Sequence, residues 1–219
     1  MNKEWSELNK EVQIQLKREA TFSQGIETLL TLRQKLFSEL LCLNQKLSRE
    51  EFDAMPFANA KGYHSKTIAY SIWHIFRIED IVAHSLIQRD EQILFLKDYQ
   101  KRINSPIITT GNELVGQQIA DFSSMLDLEQ LYQYMEEVKE CTEEILKNLS
   151  FKELKRKFED ADKENLKGLK VVSTDENACW LIDYWCGKDI RGLIQMPFSR
   201  HWIMHIEASL RIKNKIHVN

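Results

Sequence analysis

Apolar residues in this chain recur at spacings of three and four over stretches too long for strands, so its core can form only by packing helix against helix. Ile26, Leu29, Leu30, Leu36, Phe37, Leu40 and Leu41 mark a first long helix over roughly residues 23–46. Ile68, Ile72, Ile75, Phe76, Val82 and Leu86 mark a second, from an N-cap at Ser65 to about Gln88. A third runs from about Asp127 through Leu128, Leu131, Met135, Val138, Ile145 and Leu149. The last begins near Pro197, whose missing N–H costs little in a first turn, and continues to about Ile216. Turn-forming residues are correspondingly scarce: 7 glycines and 3 prolines in 219 residues, where a β-rich or irregular fold would need many of each. A period-two pattern is sustained only over Val12, Ile14 and Leu16, and there Trp5, Leu8 and Val12 keep helical spacing, so a short helix is expected in the first twenty residues.

The connections are as informative as the helices. Residues 89–126, with Pro106, Gly111 and Gly116, are too many for a hairpin between neighbouring antiparallel helices and predict a long crossover. Ser48 with Glu51 matches a capping box, as do Ser150 with Glu153 and Ser173 with Glu176, the last opening a short helix that Gly187 closes. Residues 150–196 read as a charged helical insertion before the last helix, with Lys152 to Lys163 as a solvated helix face. At 43% hydrophobic, the chain can bury one core, so residues 1–219 are read as one domain.

Composition excludes several classes of function. A net charge of −3, with Lys and Arg dispersed, offers nucleic acid no basic patch. No apolar run approaches the ~20 residues of a membrane span, and residues 1–10 lack the apolar core of a signal peptide, so a cytoplasmic protein is expected. The four cysteines form no CxxC pair and read as small buried or half-buried hydrophobes. Asp160, Asp162 and Glu164 begin like a calcium loop, but Asn165 stands at the glycine position and Val171 at the bidentate acid. His201 and His205 have zincin spacing, yet Trp202 replaces the glutamate base. There is no GxSxG, GxxxxGK[ST] or GxGxxG.

The two histidines matter for where they sit. Phe198, His201, His205, Ala208, Ile212 and Ile216 advance by three or four, which puts both imidazoles on the core stripe of the last helix, about 40° apart, where they can share one ion. A third ligand must come from a facing helix. On the second helix His84 falls about 160° from the stripe and should face solvent, whereas His74 flanks it; His74 is the first choice and His64, in the preceding loop, the second. The same wheel buries Glu79, a possible catalytic group, near the stripe centre, where a histidine N–H, water at an ion, or an arginine such as Arg77 or Arg33 must compensate it. Trp73 and Trp202, each adjoining a proposed ligand, are expected to wall the pocket.

The stretch Ser71-Ile72-Trp73-His74-Ile75-Phe76-Arg77-Ile78-Glu79-Asp80, taken with His201-Trp202-Ile203-Met204-His205, resembles the DinB/YfiT-like superfamily of metalloenzymes over the first, second and final long helices. The resemblance implies an all-α four-helix bundle with a long crossover, and a nickel, zinc or iron ion held by His74, His201 and His205. It further implies a thiol-dependent S-transferase that activates a small thiol at the ion, with a low-molecular-weight thiol and an electrophile as partners, and it leaves room for a homodimer. The alternatives are a metal-dependent hydrolase using water activated at the ion, or a non-catalytic metal-binding stress-response or interaction protein.

Overall fold

The apolar spacing is realised as helices throughout. The computed structural model describes residues 2–60 and 62–217, and among these there is no strand, only an isolated bridge between Lys157 and Asp189. Helix α1 spans Lys3–Gln15 and α2 spans Phe22–Lys46. In α1 the helical spacing prevails over the alternating one: Trp5 and Val12 are buried while Ile14 is exposed. A short α3, Arg49–Asp53, carries the expected capping box, with the Ser48 N–H donating to Glu51 at 2.7 Å.

Helix α4, Ile68–Asp80, is buried at every position, and a π-helical stretch, Ile81–Gln88, continues it. Its N-cap is Thr67, not Ser65; the Thr67 hydroxyl accepts from the Tyr70 N–H at 3.0 Å, while Ser65 closes a loop onto the Gly62 carbonyl. His84 is buried rather than solvent-facing, with Nδ1 2.6 Å from Asp90. Two causes combine: a helix covered on all sides has no solvent face, and in a π-helix each residue advances by less than the α-helical ~100°, so the wheel loses register after residue 80.

The crossover carries α5 (Ile93–Leu96), α6 (Tyr99–Arg102) and α7 (Gln117–Met125). Helix α8, Leu128–Asn148, starts at Asp127, whose carboxylate accepts from the Gln130 N–H at 3.0 Å. Lys152 to Lys163 is largely exposed, as expected, but it is not one helix face: it comprises a 3-10 turn, the isolated bridge and the start of α9, Asp160–Leu169. Ser173 and Glu176 do not open the next helix: α10, Trp180–Cys186, begins after a turn on the Asp175 carbonyl and does end at Gly187. Cys179 is exposed, contrary to the hydrophobe reading, whereas Cys42 and Cys141 are half-buried and Cys186 buried. Helix α11, Ile190–Ile194, leads through a π-turn, Met196–Arg200, into α12, His201–His217.

Among the long helices, α4 packs on both α8 and α12, and α2 packs on both of those as well, so α4 is enclosed. Residues 150–196 are no surface appendage: Leu154, Phe158, Leu166, Leu181, Trp185 and Leu193 share an apolar cluster with Val12, Ile78, Ile81 and Phe198. No helix among the described residues is long and apolar enough to cross a membrane.

Candidate metal centre

The register of α12 is set from beneath by a buried ion pair. Arg33 of α2 meets Glu79 of α4 through two bonds, Nη2 to Oε1 at 2.7 Å and Nη1 to Oε2 at 2.9 Å, both side chains having no solvent exposure. Arg33 also donates to the Phe198 carbonyl at 3.2 Å, and the Trp202 Nε1–H donates to Glu79 Oε2 at 2.8 Å. Three N–H donors thus converge on a group that only accepts, which fits the ionised carboxylate even though burial pushes the Glu79 pKa up against the pull of Arg33. The consequence is mechanical: α2 and α4 together grip both sides of His201.

From that helix His201 and His205 project toward His74. The ring centroids stand 5.0 Å apart for His74 and His201, 4.7 Å for His74 and His205, and 4.6 Å for His201 and His205. One nitrogen from each ring lies within 4.8 Å of the others, and all three residues are buried. Nitrogens at 2.0–2.1 Å from one tetrahedral ion stand about 3.3 Å apart, so the three rings would have to close in by side-chain rotation to share one ion. His64 and His217 are not part of it; His64 Nε2 lies 2.9 Å from Arg211, and His217 Nε2 lies 2.8 Å from Glu51.

Unpartnered nitrogens provide the test of fit. His201 Nδ1 and both nitrogens of His205 are buried without a hydrogen-bond partner, a cost of roughly 1–3 kcal/mol each that coordination can offset. His74 is different, because its Nδ1 lies 2.7 Å from the Thr110 carbonyl. That bond fixes the tautomer and aims Nε2 at the other two rings, the arrangement commonly found behind metal-ligating imidazoles. The donor set therefore suits a divalent transition ion, which favours neutral imidazole.

Thr110 belongs to a run of carbonyls that reads one face of α4. The Arg77 Nε–H donates to Ile108 at 2.7 Å, Trp73 Nε1–H to Thr109 at 3.2 Å, and Tyr70 O–H to Gly111 at 3.0 Å. Residues 70, 73, 74 and 77 share a helix face, so the crossover is stitched to α4 along the turn that carries His74. Tyr70 stacks on His74 at 5.4 Å and 12°. Gly111 has φ +78°, and a Cβ there would lie 3.0 Å from Tyr70 Cε2. A Cβ at Gly116, φ +55°, meets nothing within 4 Å, so Gly111→Ala is expected to disturb His74 through Tyr70 where Gly116→Ala does not. Both substitutions strain a positive-φ backbone and should lower stability in denaturant unfolding, but metal titration should show a weaker site only for Gly111→Ala. Equal metal affinity in the two variants would mean the Tyr70 contact does not support His74.

A scan against protein-family models finds no match, and a search of curated proteins finds none either. The site must be read from its own chemistry.

Burial pushes the His74 imidazole down to about 4 and those of His201 and His205 well below their ordinary value, the neighbouring rings adding to the effect on the latter two. All three are neutral, with lone pairs available, at pH 7. For metal-free protein the sign follows directly. Between about 4 and 6.5 the unfolded chain binds the proton at position 74 and the folded chain does not, so stability present above 6.5 is lost as pH falls toward 4. His74 alone accounts for about 3 kcal/mol. Chelator-treated protein should lose unfolding free energy across that window, and a flat profile would contradict the buried, neutral assignment.

His74 and His201 open onto a cavity of about 310 Å³, with Tyr63, Ile78, Asn112 and four residues of α10 in its wall. Glu79 is not in that wall, and neither Trp73 nor Trp202 lines it. Both tryptophans are fully buried core residues whose N–H groups bond Thr109 and Glu79. The aromatic wall comes instead from the 150–196 region, whose docking no local pattern discloses. Tyr63, edge-on to His205 at 4.8 Å, could have been suspected only from its place beside His64.

Proposed function

We propose that this chain is a metal-dependent enzyme of the DinB/YfiT type: α2, α4, α8 and α12 form its four-helix bundle, and His74, His201 and His205 hold nickel, zinc or iron. The observation that carries the proposal is the convergence of three neutral, buried imidazoles, two of them with unpartnered nitrogens, at a cavity that no described charged side chain lines. A divalent ion bound there supplies Lewis acidity, which makes a thiol or water brought against it easier to deprotonate. His74, His201 and His205 would hold the ion by three protein ligands, the number found in catalytic rather than structural sites.

The cavity wall favours a thiol over water. Among the described residues no carboxylate or lysine lines it, so none of these supplies a general base from the wall. A thiol, with an ordinary pKa of about 8.5, needs far less help to lose its proton than water at about 15.7. The reaction proposed is therefore S-transfer, in which a low-molecular-weight thiolate attacks an electrophile and displaces its leaving group or opens its ring. Glu79 is proposed as a positioning residue that acts through Trp202 on the histidines either side of it.

The protein should be loaded with nickel, zinc or iron and supplied with bacillithiol, mycothiol, glutathione or cysteine against a chlorinated or epoxide electrophile, with ester and amide substrates alongside. Metal-dependent thiol consumption that a His205→Ala control lacks is expected. Ester or amide turnover without any thiol turnover would replace the transferase by a hydrolase. Metal binding with no reaction would leave a stress-response or interaction protein.

A further inference from the structure

The α10 wall of the cavity says what else the site takes. Trp180 is 48% exposed, yet its ring is held in place: Nε1–H donates to the Asn177 carbonyl at 2.9 Å, and the ring meets Tyr184 edge-on at 5.6 Å and 74°. Trp185, fully buried, stands five residues along the same helix, and Met196 and Tyr63 complete the surround. Among the described residues no lining side chain is an acid, lysine or arginine; Lys66, which acts electrostatically on His74, and Arg200, which acts on Tyr63, lie outside the lining. Asn112 supplies directional polarity: its Oδ1 accepts from the Thr110 hydroxyl at 2.8 Å, which keeps its amide hydrogens as donors.

We propose that this cavity binds a neutral, flat, largely apolar molecule carrying one hydrogen-bond acceptor, with its ring against Trp180, Tyr184 and Trp185, so that α10 sets the selectivity of the site. Three arguments converge. A tryptophan held in order while half its surface stays wet regains burial when a flat ligand covers it, and aromatic faces favour stacked or edge-on rings. A charged ligand would shed its hydration shell against a wall whose described lining residues carry no counter-charge, Lys66 and Arg200 standing outside that lining. The volume, about 310 Å³, lies at the lower end of the ~300–1,000 Å³ of small-molecule pockets, so it suits one or two fused rings and excludes a nucleotide. In catalytic terms this molecule is the electrophile, an assignment that rests on the transferase reading; the binding itself needs no ion.

The test is to titrate full-length protein with 2-naphthalenemethanol and with 2-naphthoate, matched in ring and different in charge, following tryptophan fluorescence and heat. Because a bound ion would itself attract the carboxylate, the comparison is made on chelator-treated wild type and on His205→Ala, a residue outside the cavity wall. The alcohol should bind at least tenfold more tightly than the carboxylate in both. Trp180→Ala, at an exposed position, and Tyr184→Leu should each weaken the alcohol at least fivefold while leaving metal content unchanged. Equal binding of alcohol and carboxylate, or wild-type affinity in both α10 variants, would overturn the proposal. Trp180-dependent alcohol binding in a protein that takes up no metal would sustain it while removing the metalloenzyme reading.

Discussion

Arg33→Ala should destabilise the protein by about 3–5 kcal/mol, because it strands the Glu79 carboxylate in a site with no solvent access. For a chain of this length that corresponds to a fall of roughly 6–20 °C in Tm. The guanidinium bonds Glu79 twice and the Phe198 carbonyl once, and it lies 4.3 Å from the Trp202 ring centroid, so α2, α4 and α12 all lose a partner together. Replacing both charges, as Arg33→Met with Glu79→Leu, should recover more than half of the loss, since a hydrophobic pair avoids burying an unpaired ion. Glu79→Gln should be milder in stability but should weaken metal binding through the displaced Trp202, whereas Glu136→Gln, on the exposed face of α8, should change neither. Thermal and denaturant unfolding of the set decides the matter: a drop below 2 °C for Arg33→Ala would show that the pair is not what holds the helices in register.

The second large effect concerns the three histidines proposed as ligands. His74→Ala, His201→Ala or His205→Ala should each lower metal affinity by more than about 100-fold, because two imidazoles cannot hold what three do, and loss of even an outer-shell partner costs 10–100-fold. His217→Ala should leave affinity unchanged. His84→Ala should leave it unchanged too while costing stability, since His84 is buried and its Nδ1 lies against Asp90. Competition titration with a chromogenic chelator reads all five, and full occupancy in His201→Ala protein would refute the ligand assignment.

The parts of this molecule that were legible in the amino-acid sequence are those where one local pattern carries the information. The long helices follow from apolar periodicity, and the inward pointing of His201 and His205 follows from their place in the stripe that contains Phe198 and Ala208. His74 could be preferred over His64 because it lies within the helix rather than before it, and the structure puts His64 beside Arg211 instead. The partner of Glu79 was narrowed to a few groups but not chosen, since Arg33 reaches it from a different helix. His84 was misplaced because the wheel assumes one constant rotation per residue and at least one wet face, and the π-helical end of a fully enclosed helix has neither. The carbonyls of Ile108, Thr109, Thr110 and Gly111 were invisible because a backbone acceptor carries no side-chain signature; only Gly111 hinted at an unusual conformation. The cavity wall was invisible for a third reason. Trp180, Tyr184 and Trp185 look like any amphipathic segment until docking brings them to the histidines, while Trp73 and Trp202, adjacent in sequence to His74 and His201, turn away into the core.

The most direct test of the central claim is elemental analysis of full-length protein purified without a histidine tag or chelating resin. One transition-metal ion per chain, removed by a strong chelator and restored on incubation with nickel, zinc or iron, is the result expected of three converging imidazoles. Less than about a tenth of an ion per chain after incubation with each metal in turn would contradict it, and the three histidines would then have to be explained as packing alone.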